Sequence, residues 1–270
     1  MSSPFLNSAA TVAVLLMTAL GNAQQRELRV CADPDNMPFS NIQQQGFENE
    51  IAKVVAADLE AHLTFVWQRM GRGFVREYIN KSACDLVIGV PAGFRPLLTT
   101  SAYYRSSYVF VVPQQQGLKS VSFDSPELRT LKIGVQVLDE NYAPPGTALA
   151  RRGLQSEIVG FDTTGQSADS IIHAVAQHKV DMAVVWGPLA GFFAQRYGNT
   201  LSLIPVEPEV DPPSLPFTFA ISMGVRKGNT GLRDDLEKSL VNRKAQIQKI
   251  LSQYSVPQLP LAPKEGGLAN

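Results

Sequence analysis

The amino-acid sequence predicts an α/β protein of two related lobes, each a mostly parallel sheet flanked by helices, and three observations carry that prediction. Short β-branched runs alternate with amphipathic helical stretches along most of the chain. The order of these signals occurs twice, and the copies correspond residue by residue: LRVCA (from Leu28) matches LKIGV (from Leu131), and DLVIGVPAGF (from Asp85) matches DMAVVWGPLAGF (from Asp181). Such self-similarity implies two lobes built on one plan. Finally, the four prolines of VEPEVDPPSLP (206–216) forbid regular helix or central strand, so the chain breaks there before its last strand and helix, which are placed back in the first lobe.

Element by element, LRVCA (28–32) is the first strand, followed by a helix in GFENEIAKVVAADLEAHL, where Phe47, Ile51, Val54, Val55 and Leu59 recur at helical spacing. LTFVW (63–67) is a strand, FVREYIN a short helix, and DLVIGV (85–90) a buried strand. SYVFVVP (107–113) is the last strand of this series, closed by the polar break Gln114 to Gly117. The second series runs LKIGVQ (131–136), a helix near Ala148 to Arg152, a strand in EIVGF, a helix in SADSIIHAVAQH, then the strands DMAVVW (181–186) and LSLIP. After the proline-rich break come the strand PFTFAISMGVR (216–226) and one helix from about Leu232 to Ser252, with Leu236, Leu240, Ile247 and Leu251 inward. The expected organisation is therefore lobe one at 24–112 plus 217–256, lobe two at 113–216, and a loose Pro- and Gly-rich tail at 257–270.

With 44% hydrophobic and 18% charged residues the chain can bury a substantial core, and 24 basic against 24 acidic side chains leave no global field to steer it to nucleic acid. The apolar run from Ala9 to Leu20 is too short to span a bilayer, and small residues at Ala19, Gly21 and Ala23 follow it. A secretory leader covering 1–23 is the expectation, with no membrane span once it is removed and a periplasmic monomer as the product. No Lys or Arg precedes the apolar run, so a retained anchor helix is the alternative. Cys31 and Cys84 are the two cysteines; at the ends of neighbouring predicted strands in an oxidising compartment, they are either bridged or two buried thiols.

Parallel sheets place the loops after their strands on the ligand side, and two facing lobes make a cleft between those loops. Asp33 to Asn41, Gly89 to Phe94, Gln136 to Pro145 and Trp186 to Leu189 are the loops concerned. The candidate binding residues are Asp33, Phe39, Pro91, Arg95, Tyr104, Arg105, Gln136, Trp186 and Pro188. Asp33, before Pro34, either aims a carboxylate into the cleft or closes an Asx-turn. Trp186 ends an apolar strand and either stacks on a ligand or plugs the interior. Tyr103, Tyr104 and Arg105, just before the last strand of lobe one, either recognise a carboxylate or pack the hinge. Gly187 and Pro188 look like a helix start with free N–H groups. Glu48 and Glu50 sit at a helix start, where they favour the dipole without a chemical role. Catalytic patterns are scarce: His173 and His178 are five apart and do not share a helix face, and no zinc spacing, phosphate loop, nucleophile elbow or dinucleotide fingerprint occurs. No metal, cofactor or catalytic residue is assigned.

The ordered set LRVCADPDNMPFSN, GFENEIA, CDLVIGV and TTSAYYRSSYVFVV resembles the type II periplasmic solute-binding proteins of family 3. RGFVREYIN, PAGF, LRTLKIGVQ, ALARRG and VDMAVVWGPLAGFFA resemble its quinoprotein-dehydrogenase-associated members, the MoxJ/XoxJ type. The resemblance covers roughly Leu28 to Ser252. It implies the two-lobed periplasmic-binding-protein-like type II fold and a link to alcohol or methanol dehydrogenases that use pyrroloquinoline quinone. In the amino-acid binders of this family an Arg after the strand equivalent to DLVIGV clamps the ligand carboxylate, and an Asp after the strand equivalent to DMAVVW holds its ammonium group. Here Trp186, Gly187 and Pro188 stand in the second place. Arg95 lies near the first, within PAGFRPLL, which departs from those binders' pattern. An α-ammonium group would have no partner in that loop, so amino-acid binding is not assigned. The function expected is an accessory or maturation role toward the dehydrogenase, through a partner or ligand held in the interlobe cleft. The alternatives are a substrate-binding component that delivers a small organic solute to an ABC importer's permease, and a dehydratase on the same fold.

Overall fold

The computed structural model of the protein describes residues 26–261, except 72, 139 and 140. The expected leader at 1–23 and the end of the expected tail lie outside the described residues.

Apolar runs with β-branched residues pair where both faces can be covered. In lobe one, β1 (Glu27–Ala32), β2 (His62–Trp67) and β3 (Leu86–Pro91) lie parallel in the order β2-β1-β3. Helix α1 (Phe47–Asp58) turns Phe47, Ile51 and Val55 onto this sheet. Its entry is set by Asn49, whose Oδ1 accepts from the N–H groups of Gly46 and Asn41, both at 3.1 Å, so a donor left open at the helix mouth is satisfied. FVREYIN forms only a five-residue π-helical turn, Val75–Ile79.

β4 (Tyr104–Pro113) then runs from lobe one into lobe two. There β5 (Ile133–Leu138), β6 (Ile158–Asp162) and β7 (Met182–Trp186) repeat the plan in the order β6-β5-β7, with α2 (Pro144–Arg151), α3 (Ser170–Ala176) and α4 (Gly187–Ala194) packed around them. β8 (Leu201–Pro205) and β7 pair antiparallel with the second half of β4. β9 (Thr218–Val225) returns to lobe one and pairs with the first half of β4, Tyr104 to Ser107, and with β3. β4 thus changes partners between Ser107 and Tyr108. It begins at Tyr104, three residues earlier than expected, because β9 supplies ladder hydrogen bonds to those residues.

The single expected C-terminal helix is two, α5 (Thr230–Asn242) and α6 (Lys244–Gln253). They meet at Arg243, non-helical at φ −104° and ψ 13°, whose Nε donates to Asp58 Oδ1 at the end of α1, 2.6 Å away. The expected loose tail is anchored at its start. Pro257 O accepts from Ser106 Oγ at 2.6 Å, and Leu259 N–H donates to Arg105 O at 2.9 Å. Gly191 of α4 faces this strap so closely that a Cβ there would lie 2.0 Å from Ser255 O. Tyr254 stacks on Phe192, ring centroids 5.7 Å apart.

Each lobe buries side chains on both sheet faces, unequally in lobe one. α1, α5 and α6 cover one face with Leu28, Phe47, Ile51, Leu86, Leu236 and Leu251, each contributing roughly 1.5–3 kcal/mol on burial. The other face holds only Cys31, Ile79, Cys84, Val87 and Leu97 fully buried. There Cys31 and Cys84 form a disulfide with their Cα atoms 5.5 Å apart, resolving the alternative left open by the sequence. Lobe two has substantial clusters on both faces, one around Phe110 and Phe217, the other around Ile171 and Val185.

Candidate functional site

The loops after β1 and β3 and the start of α1 meet on lobe one. Asp33 closes an Asx-turn, its Oδ1 accepting from Asp35 N–H at 3.0 Å, while Oδ2 accepts from Met70 N–H at 3.3 Å. Phe39 is half-buried with its ring 5.2 Å from that of Phe47. Between them stands a residue the sequence reading passed over. The carboxyl of Glu48 rests against Gly89, so closely that a Cβ on that glycine would lie 1.9 Å from Oε1, and Gly89 has φ +84°. Burial, with the negative charge of Asp33 adding to it, pushes the Glu48 carboxyl up to about 8, so at neutral pH it is mostly a neutral acid. The signal was present as an acid two residues into GFENEIA, but a helix-start acid is normally explained by the dipole alone. Its enclosure depends on Gly89, 41 positions away.

Tyr104 belongs to this cluster but lines no open surface. It is buried, edge-on to Phe47 at 6.3 Å, and burial raises its hydroxyl far above the usual range. The expectation that Tyr104 contacts a ligand is corrected accordingly, since its first-strand pairing with β9 turns it into the core. Tyr103 is buried beside it. Arg105 is taken up by Glu209 of lobe two in an ion pair. Pro91, at the end of β3, and Arg95, in the loop beyond it, are exposed.

The lobe-two residues are committed to the protein itself. Gln136 is buried; its Nε2 donates to Thr163 Oγ1 at 3.0 Å, and its Oε1 accepts from Trp186 N–H at 2.6 Å. With both ends of the amide satisfied it offers nothing to a ligand. Trp186 sits half-buried at the hinge, edge-on to Tyr108 (5.4 Å) and Phe219 (5.7 Å), and packs against the cores of both lobes. It plugs the interlobe seam. Gly187 is pressed against Ser107 O and Pro188 is buried, so the N-terminus of α4 is not an open anion site. The lobes also touch at the mouth: a Cβ on Gly165 of lobe two would lie 2.9 Å from Asp35 Oδ2 of lobe one, and Met37 packs on the lobe-two core.

The expected residues therefore separate into two groups: Asp33 and Phe39, with Glu48, on lobe one, and Gln136, Trp186 and Pro188 in the seam. An open groove of about 940 Å³ lies elsewhere on lobe one, touching the site at Gly89 and Pro91. Among the described residues no cluster of His, Cys, Asp and Glu is arranged to hold a metal, and no helix is long and apolar enough to cross a membrane.

Residues 28–257 match the family model of bacterial extracellular solute-binding proteins, family 3. The MoxJ protein of Paracoccus denitrificans is 32% identical over 270 residues, 93% of this chain and 96% of that protein. Among solved structures, MxaJ from Methlophaga aminisulfidivorans MPT superposes with a TM-score of 0.74 at 28% identity, over 86% of this chain and all of that one. The periplasmic binding protein XoxJ from Methylobacterium extorquens AM1 gives 0.71 at 35% identity, over 87% of this chain and all of that one.

Proposed function

The chain belongs to the family 3 bacterial extracellular solute-binding proteins, and from that premise we propose that it serves in the periplasm as a binding protein of a pyrroloquinoline-quinone-dependent alcohol or methanol dehydrogenase system. In this reading it engages the dehydrogenase and assists its maturation, through the lobe-one side of the cleft, and carries out no reaction of its own. One observation carries it: among the described residues, the lobe-two groups expected at the cleft are engaged within the protein. Gln136 is hydrogen-bonded at both ends of its amide, Trp186 packs against both lobe cores, Gly187 and Gly191 lie under the strap, and Pro188 is buried. A small solute held between lobes needs partners from both, and an ammonium group desolvated against this wall without a partner would be strongly disfavoured. End-to-end likeness to MoxJ, MxaJ and XoxJ supports the choice of partner.

The test is calorimetric titration of the protein into the cognate quinoprotein dehydrogenase, in apo and holo forms. Saturable heat with at least one form is expected. Absence of heat with both would overturn the reading in favour of a second one, a receptor for an ABC importer. That alternative is favoured by the adjacent carboxyls of Glu48 and Asp33 on lobe one, and it predicts thermal stabilisation that grows with the concentration of a cationic solute.

A further inference from the structure

We propose that the flank of lobe one is a docking groove for an acidic, apolar-faced segment of a partner protein. The sheet of lobe one has helices α1, α5 and α6 on one face, but on the other only the π-helical turn Val75–Ile79 and the loop after β3. That thin cover leaves the groove of about 940 Å³, which runs from Gly89 and Pro91 at one end of β3 to Arg226 and Lys227 beyond the end of β9. Phe74, Val87, Val90 and Leu97 line it, and Met70 and Phe94 stand on it with 36% and 37% of their surface exposed. Met70 and Phe94 beside this apolar trough give the apolar side chains of a partner segment a surface to cover.

The occupant follows from charge. Among the described residues, the ionisable side chains lining the groove are all cations: Arg76, Arg226 and Lys227. Arg76 is engaged by Glu77 on its own turn. Among the described residues, Arg226 and Lys227 have no carboxylate within ion-pair distance. A segment that sets apolar side chains on the floor and carboxylates toward Arg226 and Lys227 complements both features. The groove is walled by lobe one alone, so hinge closure cannot enclose a small molecule in it as solute sites require. A peptide segment laid along it needs no closure. The inference deepens the partner reading and rests on it only for the occupant being a protein.

Three fluorescently labelled peptides of equal length test it by anisotropy: one alternating Glu or Asp with Leu and Phe, its Gln/Asn counterpart, and its Lys counterpart. They are titrated with the wild-type protein and with Phe94→Ser and Arg226→Glu/Lys227→Glu, all at exposed positions. The acidic peptide is expected to saturate and to bind about tenfold tighter than the neutral one, with a loss of about tenfold in each variant. The charge-dependent gap is expected to narrow at high salt. No saturation by the acidic peptide, equal binding of the three, or unchanged binding in the variants would overturn the proposal. Titrating the dehydrogenase with the same proteins separates the two ideas. If the dehydrogenase binds wild type and variants equally, the groove proposal falls and the partner reading stands. If only the acidic peptide binds, and the variants weaken it, the groove stands and the choice of dehydrogenase falls.

Discussion

The two walls that face each other in this protein are built alike and finished differently. β3 and β7 occupy equivalent places in the two lobes, each a buried parallel strand whose carboxyl end opens toward the other lobe. After β7 the polar groups are closed off by the protein, through Gln136 to Trp186 and through the strap on α4. After β3 the chain packs the Glu48 carboxyl against Gly89, and an open groove continues from Pro91. One wall is tied into the protein while the other borders an open groove, the asymmetry on which the proposed one-sided docking of a partner rests.

Removing the disulfide would strain this comparison most. The groove-bearing face of lobe one buries few side chains, and a bridge across 53 positions of sequence offsets that deficit. The double variant Cys31→Ala/Cys84→Ala is expected to lose about 4 kcal/mol in urea unfolding. A loss below about 1 kcal/mol would show that the thin face does not depend on the bridge. Next in size is Gln136→Leu, which strips Trp186 N–H and Thr163 Oγ1 of their partners and is expected to cost roughly 2–4 kcal/mol. A neutral outcome would mean that water replaces the amide and that the lobe-two wall is open after all.

Glu48 sharpens the contrast through pH. Its folded-state value is raised to about 8 from an ordinary 4.5, so between those limits the folded protein holds a proton that the unfolded chain releases. Stability attributable to this group is therefore full below about pH 4.5 and falls as pH rises toward 8, at a slope of up to about 1.4 kcal/mol per unit. Glu48→Gln is expected to flatten that slope; an unchanged stability–pH curve would place the carboxyl in ordinary solvent. Smallest is Arg105→Ala. It removes one partly exposed interlobe ion pair with Glu209 and is expected to cost no more than about 1 kcal/mol. A larger loss would mean that the seam is held by charge and not by Trp186.

Much of the fold was legible because buried parallel strands are written as apolar runs. DLVIGV and DMAVVW announced β3 and β7, and their likeness announced the two lobes. What escaped is long-range. No proline or glycine stands at Arg243, where the last helix breaks because the side chain is tied to Asp58. Pro257 to Leu259 read as loose, although Ser106 and Arg105, some 150 positions away, hold them down. Of the candidate residues, Asp33 and Phe39 are legible as a loop after a strand, and the structure places both on lobe one. Glu48 was missed because nothing local distinguishes an acid that favours a dipole from one enclosed by a distant glycine. Trp186 stands out in the sequence at the end of an apolar strand, and the structure packs it against the cores of both lobes.

Amide hydrogen exchange of the protein, alone and with the quinoprotein dehydrogenase proposed as its partner, compares the two walls directly. The account predicts that protection is gained over residues 70–97 and around 226–227, with little change over 133–138 and 182–194. Protection confined to those lobe-two segments, or none anywhere in the presence of the dehydrogenase, would contradict it.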